Sequence, residues 1–167
     1  MEVMIRTAQK GDLPDLLNLY AQSGLNEGPT LPLAEAEAIF DRMQRYPDYQ
    51  LCLAERDGQL VGAVALLIMD NLCHGGAPSG VVEDVAVHPA WCRRGIGTAM
   101  MRFAMARCRE AGCYKLTLSA NLRRDQAHAF YESLGFQKHG HSFWANPHAG
   151  LPYVHPAGEM SAPPGTI

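Results

Sequence analysis

No stretch of this 167-residue chain approaches the ~20 consecutive apolar residues that a membrane-spanning helix requires. The opening Met-Glu-Val-Met-Ile-Arg lacks the layout of a secretory signal, so a cytoplasmic protein is expected. Paired cysteines are missing too. Cys52, Cys73, Cys92, Cys108 and Cys113 contain no Cys-x-x-Cys spacing, which argues against a zinc ribbon or a dithiol redox motif. They are expected to be reduced thiols. None of the seven histidines stands at ligand spacing with a convincing third partner, so no metal is assigned. Lysine-rich tracts are absent and the net charge is −3, which excludes nucleic acid as a main partner. Two nucleotide signatures fail as well. No Gly-Lys-Ser/Thr ending exists for a Walker A loop, and Met100 stands where a dinucleotide fingerprint needs its third glycine.

What is present suits one domain with a substantial core. Apolar residues make up 47% and charged residues 19%, ordinary for a globular protein. Residues 3–8 read as a strand. Leu13, Leu16, Leu17, Leu19 and Tyr20 give a helix over 12–22, with Asp12 as its expected N-cap. Residues 33–45 predict a second helix, with Ala36, Ile39, Phe40 and Met43 on one face. Strands at 49–55 and 60–69 are joined by Asp57-Gly58, a strong hairpin signal. A Gly- and Pro-bearing connector, Asn71 to Ser79, leads to a strand at 80–87. A helix from about Gly95 to Ala111 follows, with Ile96, Met100, Phe103, Ala104 and Cys108 as its apolar face. Residues 114–119 read as a strand. Asp125 (N-cap) to Leu134 reads as a helix stopped by Gly135, and 136–144 as one or more short strands. The remainder is rich in Pro, Gly, Ala and His, which sets a domain at 1–145 and a tail at 146–167. Helices inserted among strands predict a mixed α/β (α+β) fold around one sheet.

The chemistry concentrates where the strand Val85-Ala86-Val87 runs through His88-Pro89-Ala90-Trp91 into Cys92-Arg93-Arg94-Gly95-Ile96-Gly97-Thr98-Ala99. A helix start offers backbone N–H groups without intrahelical partners and a partial positive charge. Glycines at 95 and 97 let a phosphate approach the backbone, and Arg93 and Arg94 add full charge. The pattern reads as a phosphate site, or more plainly as a strand-to-helix connection. Cys92, a thiol beside two arginines, has the setting of a reactive group. A small loop residue is its simpler reading.

A second segment gives the first its meaning. Ala127, Phe130, Tyr131 and Leu134 share one helix face, ahead of Gly135-Phe136. Together the two segments resemble the GNAT superfamily of N-acetyltransferases. That family carries Gln/Arg-x-x-Gly-x-Gly/Ala after its fourth strand and Ala-x-x-x-Tyr-x-x-x-Gly-Phe on a later helix. Ile5-Arg6-Thr7-Ala8 with Asp12 and a Leu-rich helix resembles the family's start, so the likeness spans roughly residues 3 to 144. Two positions depart from it. Cys92 stands where Gln or Arg is usual, and Arg124 where Asn is frequent, the nearest Asn being Asn121.

The resemblance implies a single GNAT-like domain with a mostly antiparallel sheet, about four flanking helices, and strands 4 and 5 splayed apart. It implies acetyl-CoA as co-substrate, its diphosphate on the amides of Cys92 to Ala99 and its pantetheine arm along Val85, Ala86 and Val87. Asn121, Arg124 or both complete the cofactor contacts. Tyr131 matches the family's general acid. Glu83 is the candidate base, since a carboxylate among apolar strand residues is costly without a partner or purpose. Strict alternation puts Glu83 with Val85 and Val87 on one face and Asp84 opposite, as a candidate substrate contact. The expected reaction is direct transfer of acetyl to a small-molecule amine in a ternary complex, without metal, nucleic acid or membrane. Alternatives are a protein or peptide N-acetyltransferase and a non-catalytic acyl-CoA-binding regulatory domain. The resemblance also suggests a homodimer.

Overall fold

The computed structural model describes residues 2–25 and 28–143. Its longest strand, β3 (Gln59–Met69), is apolar without interruption from Leu60 to Met69 and buried from Val61 to Leu66. A strand that alternates buries one face, whereas one apolar throughout is covered on both. β3 is indeed the middle of five strands: β1 (Met4–Thr7), β2 (Tyr49–Arg56), β3, β4 (Ser79–Val87) and β5 (Lys115–Leu118), in that order. The first four pair antiparallel; β4 and β5 pair parallel. Asp57 (φ 54°) and Gly58 (φ 74°) make the predicted hairpin turn, both left-handed as that turn demands.

Helices α1 (Leu13–Ser23) and α2 (Leu33–Met43) cover one face. Leu13, Leu16, Leu19, Ala36 and Phe40 pack there against Leu51, Leu53, Ala63, Ala65 and Ala86. Helix α3 (Ile96–Glu110) makes the crossover that the parallel β4–β5 pair requires. It buries Ile96, Met100, Met101, Ala104 and Cys108; Met101 takes the place predicted for Phe103, which is only half-buried. Its approach depends on a missing side chain. A Cβ at Gly62 would lie 2.9 Å from Ile96 and 3.0 Å from Met100. Helix α4 (Asp125–Ser133) follows β5, and Gly135 at φ 91° ends it as expected.

Three local expectations are adjusted. Asp12 is the N-cap residue of α1, as expected, but its side chain makes no capping hydrogen bond to that helix. It accepts the Gln9 N–H at 2.7 Å across a short 3-10 turn, Lys10–Asp12, and takes both guanidinium nitrogens of Arg6 at 2.7 Å. Arg6 also binds Glu55, so the carboxylate answers a cation rather than the helix. Arg124, not Asp125, is the N-cap of α4, and no side chain caps that helix. Residues 136–143 form no strand, so His139 and His141 do not alternate on one. They belong to a second unit, Phe136–Ile167, within which His141 lies edge-on to Phe143 at 6.5 Å. The predicted tail, 146–167, lies outside the described residues.

Candidate active site

β4 hands over to a loop built to spend its hydrogen bonds early. The His88 N–H donates to Val61 O at 2.9 Å, and His88 Nδ1 accepts the Ala90 N–H at 3.2 Å. A 3-10 turn, Pro89–Trp91, follows, with Pro89 where no N–H is needed. Trp91 donates to His88 O (2.8 Å) and Cys92 to Pro89 O (3.3 Å). Then bonding stops. Among the described residues, the amides of Arg93, Arg94, Gly95, Ile96, Gly97 and Thr98 reach no acceptor, and no side chain caps α3. Ala99 resumes the ladder, donating to Gly95 O at 2.9 Å.

Arg93 (φ 59°) and Gly95 (φ 83°) are both left-handed, a curl that gathers successive N–H groups into an anion-binding concavity. A non-glycine residue held left-handed costs roughly 1–2 kcal/mol, so Arg93 carries strain at the point where the amides converge. The Trp91 ring lies under two guanidiniums, Arg94 at 5.2 Å and Arg56 of β2 at 5.3 Å. Sequence reading gave Arg56 and Trp91 no role. Nothing in the spacing shows that the end of the β2–β3 hairpin reaches the loop.

The second part of the site is an open strand edge. β5 ends at Leu118, opposite Val82. From Glu83 to Val87, β4 therefore has a strand on one side only. Within that stretch Ala63 pairs with Ala86 and Ala65 with Glu83, so two β4 residues, Asp84 and Val85, face the single Val64. This is a bulge, with Asp84 at φ 51°.

The bulge overturns the alternation argument. Directly paired residues share a face, and Ala63, Ala65 and Ala86 all line the α1–α2 core, so Glu83 faces that side. Val87 pairs with Gly62, which lies against α3, so Val87 faces the other side. Glu83 and Val87 are thus on opposite faces, and Asp84 is not turned away from Glu83. Asp84 raises the Tyr20 and Tyr49 phenols from α1 and β2, second in each case to burial. Burial first, then the Asp84 charge, holds the Glu83 carboxyl above the ordinary carboxylate range. Among the described residues neither carboxylate has a hydrogen bond or ion pair.

α4 brings the third part. A Cβ at Gly97 would lie 3.0 Å from Phe130 Cζ, so α4 sits against the first turn of α3. The Tyr131 ring is 5.1 Å from that of Phe130 and is half-buried. Burial raises the Tyr131 phenol, opposed by the charge of Arg124. The two sequence motifs are thereby neighbours in space. Asn121 is used in its own turn: Oδ1 accepts the Arg123 N–H at 2.9 Å, and its carbonyl takes the Arg124 N–H at 3.0 Å. His128 Nε2–H donates to the same carbonyl at 3.0 Å. Of the two candidates for the cofactor contact, Asn121 is engaged in its turn, whereas the Arg124 charge reaches Tyr131. Cys92 is exposed, with Sγ 3.7 Å from His88 O.

The family model described as "Acetyltransferase (GNAT) family" matches residues 13–136. The chain is 30% identical over 140 residues to a glucosamine 6-phosphate N-acetyltransferase of Trypanosoma brucei brucei, covering 83% of this chain and 92% of that protein. An aminoalkylphosphonate N-acetyltransferase of Salmonella typhimurium is 30% identical over 92 residues, 55% of this chain and 59% of that protein. Among solved structures, a protein from Agrobacterium tumefaciens str. C58, assigned only as an acetyltransferase, superposes with a TM-score of 0.80 at 35% identity, covering 86% and 99% of the two chains. The five-stranded mixed sheet with its parallel β4–β5 pair is that fold. The chain belongs to the GNAT acetyltransferase family and is an N-acetyltransferase.

Proposed function

We propose that this enzyme transfers the acetyl group of acetyl-CoA to the primary amine of a small molecule, by direct attack within a ternary complex. The observation that carries the reading is the run of unpartnered amides from Arg93 to Thr98, opening beside a strand edge that β5 has left. A hydrogen bond to a charged group contributes about 1.5–3 kcal/mol, whereas an exposed ion pair contributes about 0–1 kcal/mol. The amides therefore dominate the grip on a diphosphate, and the exposed Arg93 and Arg94 assist. That ranking explains why Cys92 is acceptable in place of a longer polar residue. The open edge of Glu83–Val87 offers an extended pantetheine arm the pairing an added strand would take.

Glu83 removes the proton from the acceptor ammonium, directly or through water. Its raised pKa suits a base that must also release the proton. Tyr131 stays protonated because its burial disfavours phenolate, and it hydrogen-bonds the departing CoA thiolate. Asp84 and the Tyr20 and Tyr49 phenols bound the side from which the acceptor enters. The relatives named for phosphorylated or phosphonate amines support a small-molecule acceptor rather than a peptide. The same reading takes the protein as cytoplasmic and as a homodimer, which sedimentation of the purified chain checks.

The test follows CoA release over a panel of amines, with Glu83→Gln and Tyr131→Phe beside the wild type. Loss of turnover with retained CoA binding is expected in both variants. Tight CoA binding without turnover on any amine would instead favour a regulatory acyl-CoA-binding domain.

A further inference from the structure

The C-terminal end of α3 closes through two backbone bonds. Gly112, at φ 75°, donates to Arg109 O at 3.1 Å, and Cys113 donates to Cys108 O at 2.9 Å. This is the Schellman arrangement, which folds the second residue past the cap back over the third-from-last helical side chain. The contact between those two positions is ordinarily apolar. Here both are cysteines. Cys108 is buried, 5% exposed, and Cys113 is partly exposed. Burial, then the neighbouring Cys113 and its thiol hydrogen bond, push the Cys108 thiol up to about 12. Of the two, Cys113 is thus the side chain a solvent oxidant meets first.

We propose that Cys108 and Cys113 form a reversible redox couple, closing a disulfide across the end of α3 when the protein meets a peroxide. The Cys113 thiolate attacks hydrogen peroxide; the O–O bond breaks, hydroxide leaves and Cys113 becomes a sulfenic acid. The Cys108 sulfur then displaces the sulfenic hydroxyl. The S–S bond forms, and the hydroxyl leaves as water with the Cys108 proton. Two electrons pass from the sulfur pair to the peroxide, and a dithiol reductant reverses the bridge.

The location gives the bridge a consequence. Cys108 Sγ fills the space where a side chain at Gly80 would stand, beside Leu116. Gly80 and Leu116 are a rung of the β4–β5 pair, two residues before the pair ends. A bridge therefore ties the sulfur that lies under this rung to the loop just beyond Gly112. A rival pairing exists. His74 stacks on Tyr114 with ring centroids 4.0 Å apart, which brings the exposed Cys73 into the neighbourhood of Cys113.

The test treats the full chain with stoichiometric hydrogen peroxide, alkylates it unreduced, and digests it with trypsin. Cleavage after Arg107, Arg109 and Lys115 separates Cys108 from Cys113. A bridge therefore joins the dipeptide Cys108-Arg109 to the peptide Glu110–Lys115, at about 2 Da below the sum of the two thiols. The expected result is loss of two of the five thiols, that linked pair, and its reversal by dithiothreitol. Cys73→Ser should keep the bridge; Cys108→Ser should leave a dimedone-reactive sulfenic acid on Cys113. A Cys73–Cys113 link, sulfinic acid on Cys113 beside an alkylated Cys108, or five intact thiols in the wild type would overturn the proposal. None of these outcomes depends on acetyl transfer.

Discussion

The two ends of α3 obey opposite rules. At its C-terminus Gly112 takes a left-handed turn, and Gly112 and Cys113 both donate to carbonyls within the helix. At its N-terminus Gly95 takes nearly the same φ, yet six consecutive amides are left open among the described residues. One glycine completes a helix; the other, on the proposed reading, prepares a binding surface. A helix end folded back on itself is a structural stop, while one with open amides can receive an anion. The same contrast runs along β4, which is paired on both sides at Ser79–Val82 and on one side beyond.

The largest expected effect lies at the open end. Tyr131→Phe should lower kcat by roughly 100- to 1,000-fold, within the range of a lost general acid, while CoA affinity measured by calorimetry holds. Unchanged kcat would remove Tyr131 from the chemistry. Next comes a matched pair across the helix. Gly95→Ala and Gly112→Ala should each cost roughly 1–2 kcal/mol of stability in thermal unfolding, since each forces an L side chain into the left-handed region. Only Gly95→Ala should also weaken CoA binding, by about tenfold for one lost amide contact. Equal affinities in the two variants would end the comparison.

A subtler change tests the bulge. Glu83 must be ionised to act, so kcat/KM should climb as pH rises through its raised value. Asp84→Asn removes the like charge that helps raise it, and asparagine tolerates the left-handed backbone there. The acid limb of the pH profile should move to lower pH; an unmoved limb means that another group is the base. The smallest effect is expected far from the cleft. Arg6→Ala breaks partly exposed pairs with Asp12 and Glu55 (the Arg6 side chain is 35% exposed, each carboxylate 21%) and should cost about 1 kcal/mol with activity intact. The Arg6 hydrogen bonds hold the Asp12 carboxyl low. That stabilisation is full above the unfolded carboxylate's range and is lost as pH falls through the depressed value. In Arg6→Ala the acid-side loss of stability should therefore flatten, which denaturation at a series of low pH values would check.

Much of this was legible in the residues. Helical spacing located α1, α2 and the faces of α3, because burial on one side leaves a 3.6-residue period. Asp57-Gly58 located the hairpin, because few residues tolerate two left-handed positions in a row. The motifs around Gly95 and Tyr131 named the family, because they set a glycine-bearing helix start and a tyrosine on a later helix in one fixed order. Pattern failed where the deciding quantity was an absence of regularity. Period-2 reasoning assigned Glu83 and Val87 to one face; a single inserted residue at Asp84–Val85 reversed that, and bulges carry no period. Asp12 holds the N-cap position, yet its side chain does not cap, because the cation that claims it, Arg6, lies on another element.

The sequence by itself determined which chemistry the chain can offer: a glycine-and-arginine helix start, a tyrosine on a later helix, and two adjacent carboxylates on one strand. It also determined the order of strands and helices, since burial periodicity is a local property of the chain. Only the tertiary structure decided which groups meet. The face of Glu83, the end of β5 at Leu118, the contact of Phe130 with Gly97, and the meeting of two thiols beyond Gly112 all depend on register and on helix approach. Those are set by packing between segments far apart in the chain, and no local pattern encodes them.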